Sequence, residues 1–392
     1  MATTPKLRAY RGPTLFSYGF RPFFLFAAIY AGLAIPLWLG IFGGELSLPT
    51  AVTPRDWHVH EMLFGYVGAV IAGFLLTAVP NWTGRLPIQG WPLATLLSTW
   101  LAGRFVVSLT AEIGWVAAMV LDSLFLLLLA AAVAREIIAG RKWSNLKVAG
   151  IVSLFAVINA AFHVEAHLSG AAEYSTRAGI ALIVTLVSII GGRIVPSFTR
   201  NWLARRAEGR MPIPFGRFDA VAIATGGIAL AIWTVVPTST VVAVALCLAG
   251  ALHLLRLARW AGERTLSDRL VLILHIAYAF VPIGYFITAL SALDLTAMSA
   301  GVHAWTGGAI GTMTIAVMTR ASLGHTGQSL SATRATQFIY LAVVIAALAR
   351  ICAAVEPAHA EFLLPIAGAA WTLAFLGFAT AYGPLLVWAR KA

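Results

Sequence analysis

Apolar residues along this chain come in long blocks and do not alternate with polar ones. From Tyr18 to Trp388 the blocks recur, separated by short breaks rich in Gly, Pro and Arg. Their length, about 20 residues each, suits helices that cross a hydrocarbon core of about 30 Å. Lipid offers the backbone no hydrogen bonds, so a spanning segment is a helix or part of a closed barrel. The blocks are too long, and lack the two-residue period, for barrel strands. The pattern predicts twelve spans, at 19–41, 57–80, 91–109, 113–134, 147–169, 175–199, 217–236, 239–260, 268–292, 299–321, 334–354 and 360–388. The expected fold is an all-α polytopic transmembrane bundle, one integral membrane domain over residues 1–392. No internal repeat stands out by eye.

Composition agrees with the pattern. Of 392 residues, 60% are hydrophobic and 11% charged, against about 25% charged in a soluble domain. The formal charge of +12 reads as topology, because the basic residues cluster in alternate loops. Lys6, Arg8 and Arg11 precede the first span, Arg390 and Lys391 follow the last, and arginine-rich loops follow the fourth, sixth and eighth. The opposite loops hold Arg55 and Arg177 beside the acids Glu45, Asp294 and Glu356. The positive-inside rule then places both termini in the cytoplasm. The basic residues are not interleaved with aromatics as in a nucleic-acid module, so no nucleic-acid partner is expected. Cys247 and Cys352 form no CxxC, no haem-attachment CxxCH and no disulfide framework. The first apolar run is long enough to span and has no cleavable-signal layout.

Nine histidines remain to be placed, and ionisable residues inside spans mark functional sites by default. His58, His60, His163, His167 and His303 fall within about 10 Å of the outer boundary, counting 1.5 Å per residue. His163 and His167 are four apart and share a helical face, a spacing that holds one metal between two imidazoles. His58 and His60 are two apart and address different sites if their span is helical there. Imidazole suits haem iron, copper and zinc alike. Gly65, Gly68 and Gly73 on the second span, with Gly307, Gly308 and Gly311 on the tenth, remove bulk near His60 and His303. They suggest a flat haem slot between those spans, although small residues also serve plain helix packing. Glu61 and Glu165 stand beside the histidines, either orienting imidazoles and passing protons or pairing with Arg55 and Arg177. Arg104 is placed to meet a haem propionate. His275, His325 and His253 lie on the inner side; His359 sits in an outer loop.

WHVHEMLFGYVGAVIAGFLLTAVPNWTG (57–84), GGRIVPSFTRN (191–201), LILHIAYAFVPIGYF (272–286) and HAWTGGAIGTMTIAVMTRASLGHTG (303–327) together closely resemble the NnrS family, and YGFRPFFLFA (18–27) fits its opening segment. The resemblance runs through essentially the whole chain. It implies a twelve-span protein of the bacterial inner membrane that contains haem b and copper and is linked to denitrification and nitric oxide tolerance. It also implies that His58, His60, His163, His275, His303 and His325 are motif histidines, with His167 and His253 weaker carry-overs. Twelve helices with histidines on spans 2 and 10 also look similar to haem-copper oxidases, by analogy only.

These lines converge on a haem–copper protein acting on nitric oxide. In the catalytic version, copper sits on His58, His163 and His167. His60 and His303 are the axial candidates for haem, His275 and His325 further cofactor ligands, and Glu61 and Glu165 carry protons. A quinol or a redox partner supplies electrons. The alternatives are a protein that binds or scavenges nitric oxide or metal without turnover, and a transporter.

Overall fold

The computed structural model describes residues 10–206 and 208–388. Lys6, Arg8, Arg390 and Lys391 of the orientation reading lie outside the described residues. Among the described residues there is no strand, and long helices occupy the expected places. They are α1 (Phe20–Phe42), α2 (Pro54–His60, Glu61–Tyr66 and Val67–Thr83, end to end), α3 (Trp91–Ser108), α4 (Trp115–Ala139), α5 (Leu146–Ser169) and α6 (Tyr174–Leu203). They continue as α7 (Arg217–Val235), α8 (Thr240–Ala258), α9 (Arg269–Ser291), α10 (Met298–His303, Ala304–Gly311 and Thr312–His325, end to end), α11 (Arg334–Val355) and α12 (Ala360–Val387). Ten helices are long and apolar enough to cross a membrane. α3 and α10 are not among those ten: α3 carries Arg104 among serines and threonines, and α10 carries Arg320 and a run of glycine and threonine. The protein is an all-α, multi-pass membrane bundle.

Local chemistry sets the helix ends. The Thr53 hydroxyl accepts from the Asp56 amide at 3.1 Å, with Pro54 in the first turn where no amide donor is needed. Asp268, Ser239 and Thr333 cap α9, α8 and α11 in the same way.

The chain forms two compact units, residues Met1–Gly179 with Phe378–Ala392, and Ile180–Gly377. In the first unit, Phe20, Phe23 and Phe24 of α1 are buried. A Cβ on Gly73 of α2 would come within 2.6 Å of the Phe24 ring, so glycine lets the two helices close up. Arg21 donates to the carbonyls of Leu385 and Leu386 at 2.9 and 3.0 Å, tying α1 to the end of α12. In the second unit, Trp305 packs edge-on against Trp233 and Tyr285, with centroids 5.4 and 5.2 Å away.

α2 and α10 share a feature that no periodicity rule anticipates. Each widens into a π-helical segment immediately after a histidine: Glu61–Tyr66 after His60, and Ala304–Gly311 after His303. The separation is 243 residues (303 less 60). The same separation links Gly65 to Gly308, Gly68 to Gly311 and Gly84 to Gly327, and links Trp91 at the start of α3 to Arg334 at the start of α11. Gly84 and Gly327 both turn the chain with φ of +70°, a left-handed value that favours glycine. The chain therefore contains a repeat after all, each unit holding one copy of this helix–π–helix–turn–helix stretch. It escapes the eye because few residues besides the histidine and glycines match.

The orientation is checked by labelling single cysteines in a background lacking Cys247 and Cys352. Glu45→Cys, between α1 and α2, is expected to react with an impermeant maleimide on intact spheroplasts. Lys142→Cys, between α4 and α5, is expected to react only after permeabilisation. The reverse pattern would invert the topology.

Candidate metal centre

The first unit gathers a polar cluster from α1, α2, α3, α4 and α5. His60 and Glu61 sit where α2 turns from α to π geometry, and both are fully buried. The wide π turn frees backbone carbonyls, a common feature of functional sites. The Gly65 carbonyl of this segment accepts from the Trp100 indole at 2.9 Å. Arg104 reaches from α3 with its guanidinium lying over Gly65; Nη1 donates to both Glu61 oxygens at 2.8 Å, and Nη2 pairs with Asp122 of α4. On Gly103 a Cβ would come within 2.8 Å of the Asp122 carboxylate, so a second glycine clears the way for that contact. The Tyr30 hydroxyl of α1 donates to Glu61.

The imidazoles close the cluster. His60 places Nδ1 2.9 Å from Glu61 and Nε2 3.1 Å from Asp122 Oδ2 and 2.9 Å from Asn159 Oδ1. His163 Nε2 lies 3.2 Å from the same Asp122 oxygen, and Asn159 Nδ2 donates to it at 2.6 Å. His60, Asp122 and His163 each offer a ligand atom, all within 4.8 Å of one another, and all three residues are buried. Among the described residues this is the group of three or more His, Cys, Asp or Glu side chains that meets that geometry. Phe64 and Phe162 pack against His60, with centroids 5.3 and 5.2 Å away.

Two features of this geometry are answered by a bound cation or an added proton. Both nitrogens of His60 face acceptor oxygens, whereas a neutral imidazole has only one N–H to donate. The cluster also sets two carboxylates, Glu61 and Asp122, against one guanidinium, Arg104. One negative charge is left in a site that excludes water, where isolated charge is costly. A metal ion on the two Nε2 atoms and Asp122, a proton on an imidazole, or a proton held between Glu61 and His60 Nδ1 answers both.

Several expected site residues lie elsewhere. His58 stacks on Trp38 at 4.3 Å and His167 on Trp115 at 4.4 Å. Neither joins His163, so the trio of His58, His163 and His167 does not form. His167 ends the exposed last turn of α5, while His163 points inward, so the four-residue spacing does not make a pair. Glu165 is not near the imidazoles either. Its carboxylate accepts from the amides of Glu173, Tyr174 and Ser175 at 2.9, 2.7 and 2.8 Å and caps the start of α6. Arg104 is committed to the two carboxylates instead of standing open for a propionate. Arg55 pairs with Glu173.

The glycines expected to open a haem slot are mostly filled from within their own units: Gly65 by Arg104, Gly73 by Phe24, Gly308 by Phe280 and Gly311 by Trp371. Gly307 differs, since a Cβ there would find only the Ala347 backbone, 4.0 Å away.

On the inner side the histidines do not assemble a metal site. His275 Nε2 bonds the Thr199 hydroxyl at 2.8 Å. His253 Nδ1 lies 2.8 Å from the Tyr278 hydroxyl, which itself accepts from Arg256 at 2.7 Å, and Arg256 pairs with Asp219 at 2.9 Å. His325 ends α10 in an exposed position. His303 directs Nδ1 at the Ser299 carbonyl, 2.7 Å away.

A family model described as NnrS protein matches residues 14–390, nearly the whole chain. The chain belongs to the NnrS protein family. It is thereby a membrane protein of a family linked to nitric oxide metabolism. No curated protein matches the chain closely enough to count as a relative. In this NnrS protein the cluster draws on residues the sequence reading passed over: Asp122, Asn159 and Tyr30. Asp122 was detectable, since a carboxylate seven residues into the apolar run from Trp115 lies about 10 Å below the outer boundary, in the histidine layer. Asn159 and Tyr30 gave no comparable signal.

Gly65→Ala tests the packing that admits Arg104. Its methyl is expected to displace the guanidinium and lower stability by about 1–3 kcal/mol, read as an earlier thermal unfolding in detergent. Gly150→Ala, where a Cβ meets nothing within 4 Å, is the control and should unfold as the wild type does.

Proposed function

We propose that the protein acts on nitric oxide at a membrane-embedded metal centre, with copper held by His60, His163 and Asp122. The observation that carries this reading is the unbalanced negative charge of the buried cluster, set beside two imidazole nitrogens that share one carboxylate oxygen. Two imidazoles and a carboxylate fit copper, and zinc or iron by the same chemistry. Bound there, copper supplies a redox-active Lewis acid in a dry site.

The chain's own residues do the remaining work. Glu61 accepts the Nδ1–H of His60 and so leaves Nε2 with its lone pair toward the metal position, the usual second contact of a metal-binding histidine. Arg104 pairs with both Glu61 and Asp122 and fixes their positions. Tyr30 keeps a proton at its hydroxyl, shared with Glu61, where a reduction that consumes protons can draw on it. Phe64 and Phe162 exclude water, while nitric oxide, small and apolar, enters through lipid. Reduction of nitric oxide needs electrons as well as protons, and a quinol or a redox partner is the expected donor. Haem b is the second cofactor of this reading.

One observation favours a second reading, binding without turnover. His60 and Glu61 are fully inaccessible and Asp122 nearly so, which suits a site that captures and holds.

The test is copper and haem content of detergent-purified protein from metal-replete cells, with nitric oxide consumption followed under a reductant. About one copper per chain is expected, lost in His163→Ala and Asp122→Ala and kept in His58→Ala and His167→Ala. Consumption that continues past one equivalent supports reduction; uptake that stops near one equivalent supports binding. Copper that survives His163→Ala and leaves with His167→Ala would overturn the site.

A further inference from the structure

We infer that metal reaches the buried centre from the outer end of the first unit, handed inward by a second layer of donors: His167, Met119 and Asp56. The inference rests on the reading that His60, His163 and Asp122 hold a metal, and adds how that site is filled.

The buried cluster has no open face. His60 and Glu61 are inaccessible, and Asp122 and His163 are 1% and 4% exposed. A cation that sheds its waters needs replacement ligands on the way, because bare charge in an apolar interior is costly. Each helix that contributes a ligand carries another donor one turn nearer the outer end. On α5 it is His167, four residues after His163. On α2 it is Asp56, four residues before His60. On α4 it is Met119, three residues before Asp122. Residues three or four apart share a helical face, so the second layer stands about 5 Å outward of the first.

Burial is graded across this layer. His167 is exposed, and its ring lies on the Trp115 indole with centroids 4.4 Å and planes 17° apart. Stacking fixes the ring while its nitrogens stay at the edge, where a metal binds. Met119 lies one turn further along α4 than Trp115 and is half-buried. Asp56 is fully buried. Its Oδ2 accepts from the Ala172 amide at 3.0 Å, whereas Oδ1 makes no hydrogen bond. Arg55 Nε stands 3.9 Å from Oδ1, and the same guanidinium pairs with Glu173. A buried carboxylate oxygen without a donor is an unfilled ligand position. Among the described residues no three His, Cys, Asp or Glu side chains meet in this layer as they do below it, so an ion passes here and does not rest.

The donor types point to copper in its reduced form. Imidazole and thioether suit a soft ion, and the carboxylate adds the charge that draws a cation inward. The second copy of the repeat lacks the outer donor together with the charged groups of the cluster. The residues 243 positions after Asp56, Glu61 and Arg104 are Ser299, Ala304 and Ala347.

The experiment follows copper uptake by the metal-free, detergent-purified protein, given Cu(I) as its bicinchoninate complex and desalted at intervals to count copper per chain. His167→Ala, Met119→Leu and Asp56→Asn are compared with wild type and with His58→Ala, whose ring stacks on Trp38 of α1 instead. The three variants are expected to load at least about tenfold more slowly and to reach the wild-type end point. His58→Ala is expected to load as the wild type does. Zn(II) uptake separates transit from damage: Met119→Leu should leave it unchanged, because a thioether favours the soft ion. Equal slowing of both metals in Met119→Leu overturns the place of Met119 on the route. Loading at the wild-type rate in all three variants overturns the inference and leaves the buried site standing. A lower end point in His167→Ala overturns it too, because a resting ligand has then been lost. A wild type that binds no copper sinks the buried site, and the route with it.

Discussion

A carboxylate within a membrane span must find its counter-charge within its own contacts, and the first unit is built around that constraint. Arg104 answers Glu61 and Asp122 together, and it reaches them only because two glycines yield the space. The π turn of α2 places His60 and Glu61 side by side in the same cluster, at the cost of backbone carbonyls that need partners, and Trp100 provides one. Remove the need to neutralise those charges and there is little reason for the turn, the notches or the tryptophan to be where they are. Two carboxylates against one guanidinium make this cluster the candidate cation site.

The second unit meets the same constraint with the opposite result. Arg256 is buried as deeply as Arg104, yet faces one carboxylate, Asp219, and is further satisfied by the Ser188 carbonyl and the Tyr278 hydroxyl. Arg259 also approaches Asp219, at 3.7 Å, so no negative charge is left over there. His253 Nδ1 completes the network against the Tyr278 hydroxyl, 2.8 Å away. Buried ionisable groups in membrane helices thus divide into those that close a local charge balance and those that leave it open.

What could be read from the sequence follows the same division. Block length fixes where helices form, so the twelve segments were legible to within about five residues at each end. Depth along each block put five histidines in one layer, and two of them, His60 and His163, lie in one buried cluster although the sequence reading gave them to different sites. Rotation about the helix axis was not legible: His58 and His167 lie at the right depth but point at Trp38 and Trp115. Partners on other helices were not legible either, which is why Asp122, plain in the sequence of α4, was not joined to His60. Glu165 shows the remaining limit, since a carboxylate beside a histidine looks alike whether it serves a metal or the next helix start. The repeat was hidden because its two copies keep the backbone and exchange the chemistry.

The π segments carry one more consequence. A π turn holds one residue more than an α turn would in the same place, so each is in effect a single-residue insertion kept in register by its neighbours. Deleting one residue between Glu61 and Tyr66 would let α2 relax into an uninterrupted α-helix. Everything beyond would then rotate by about 100° relative to His60, turning Gly65 and Gly68 away from the side chains they now admit. Helices elsewhere in the bundle absorb small length changes in their loops. Here one residue, invisible to any measure of hydrophobicity, separates a helix that frames a buried polar cluster from one that merely crosses the bilayer.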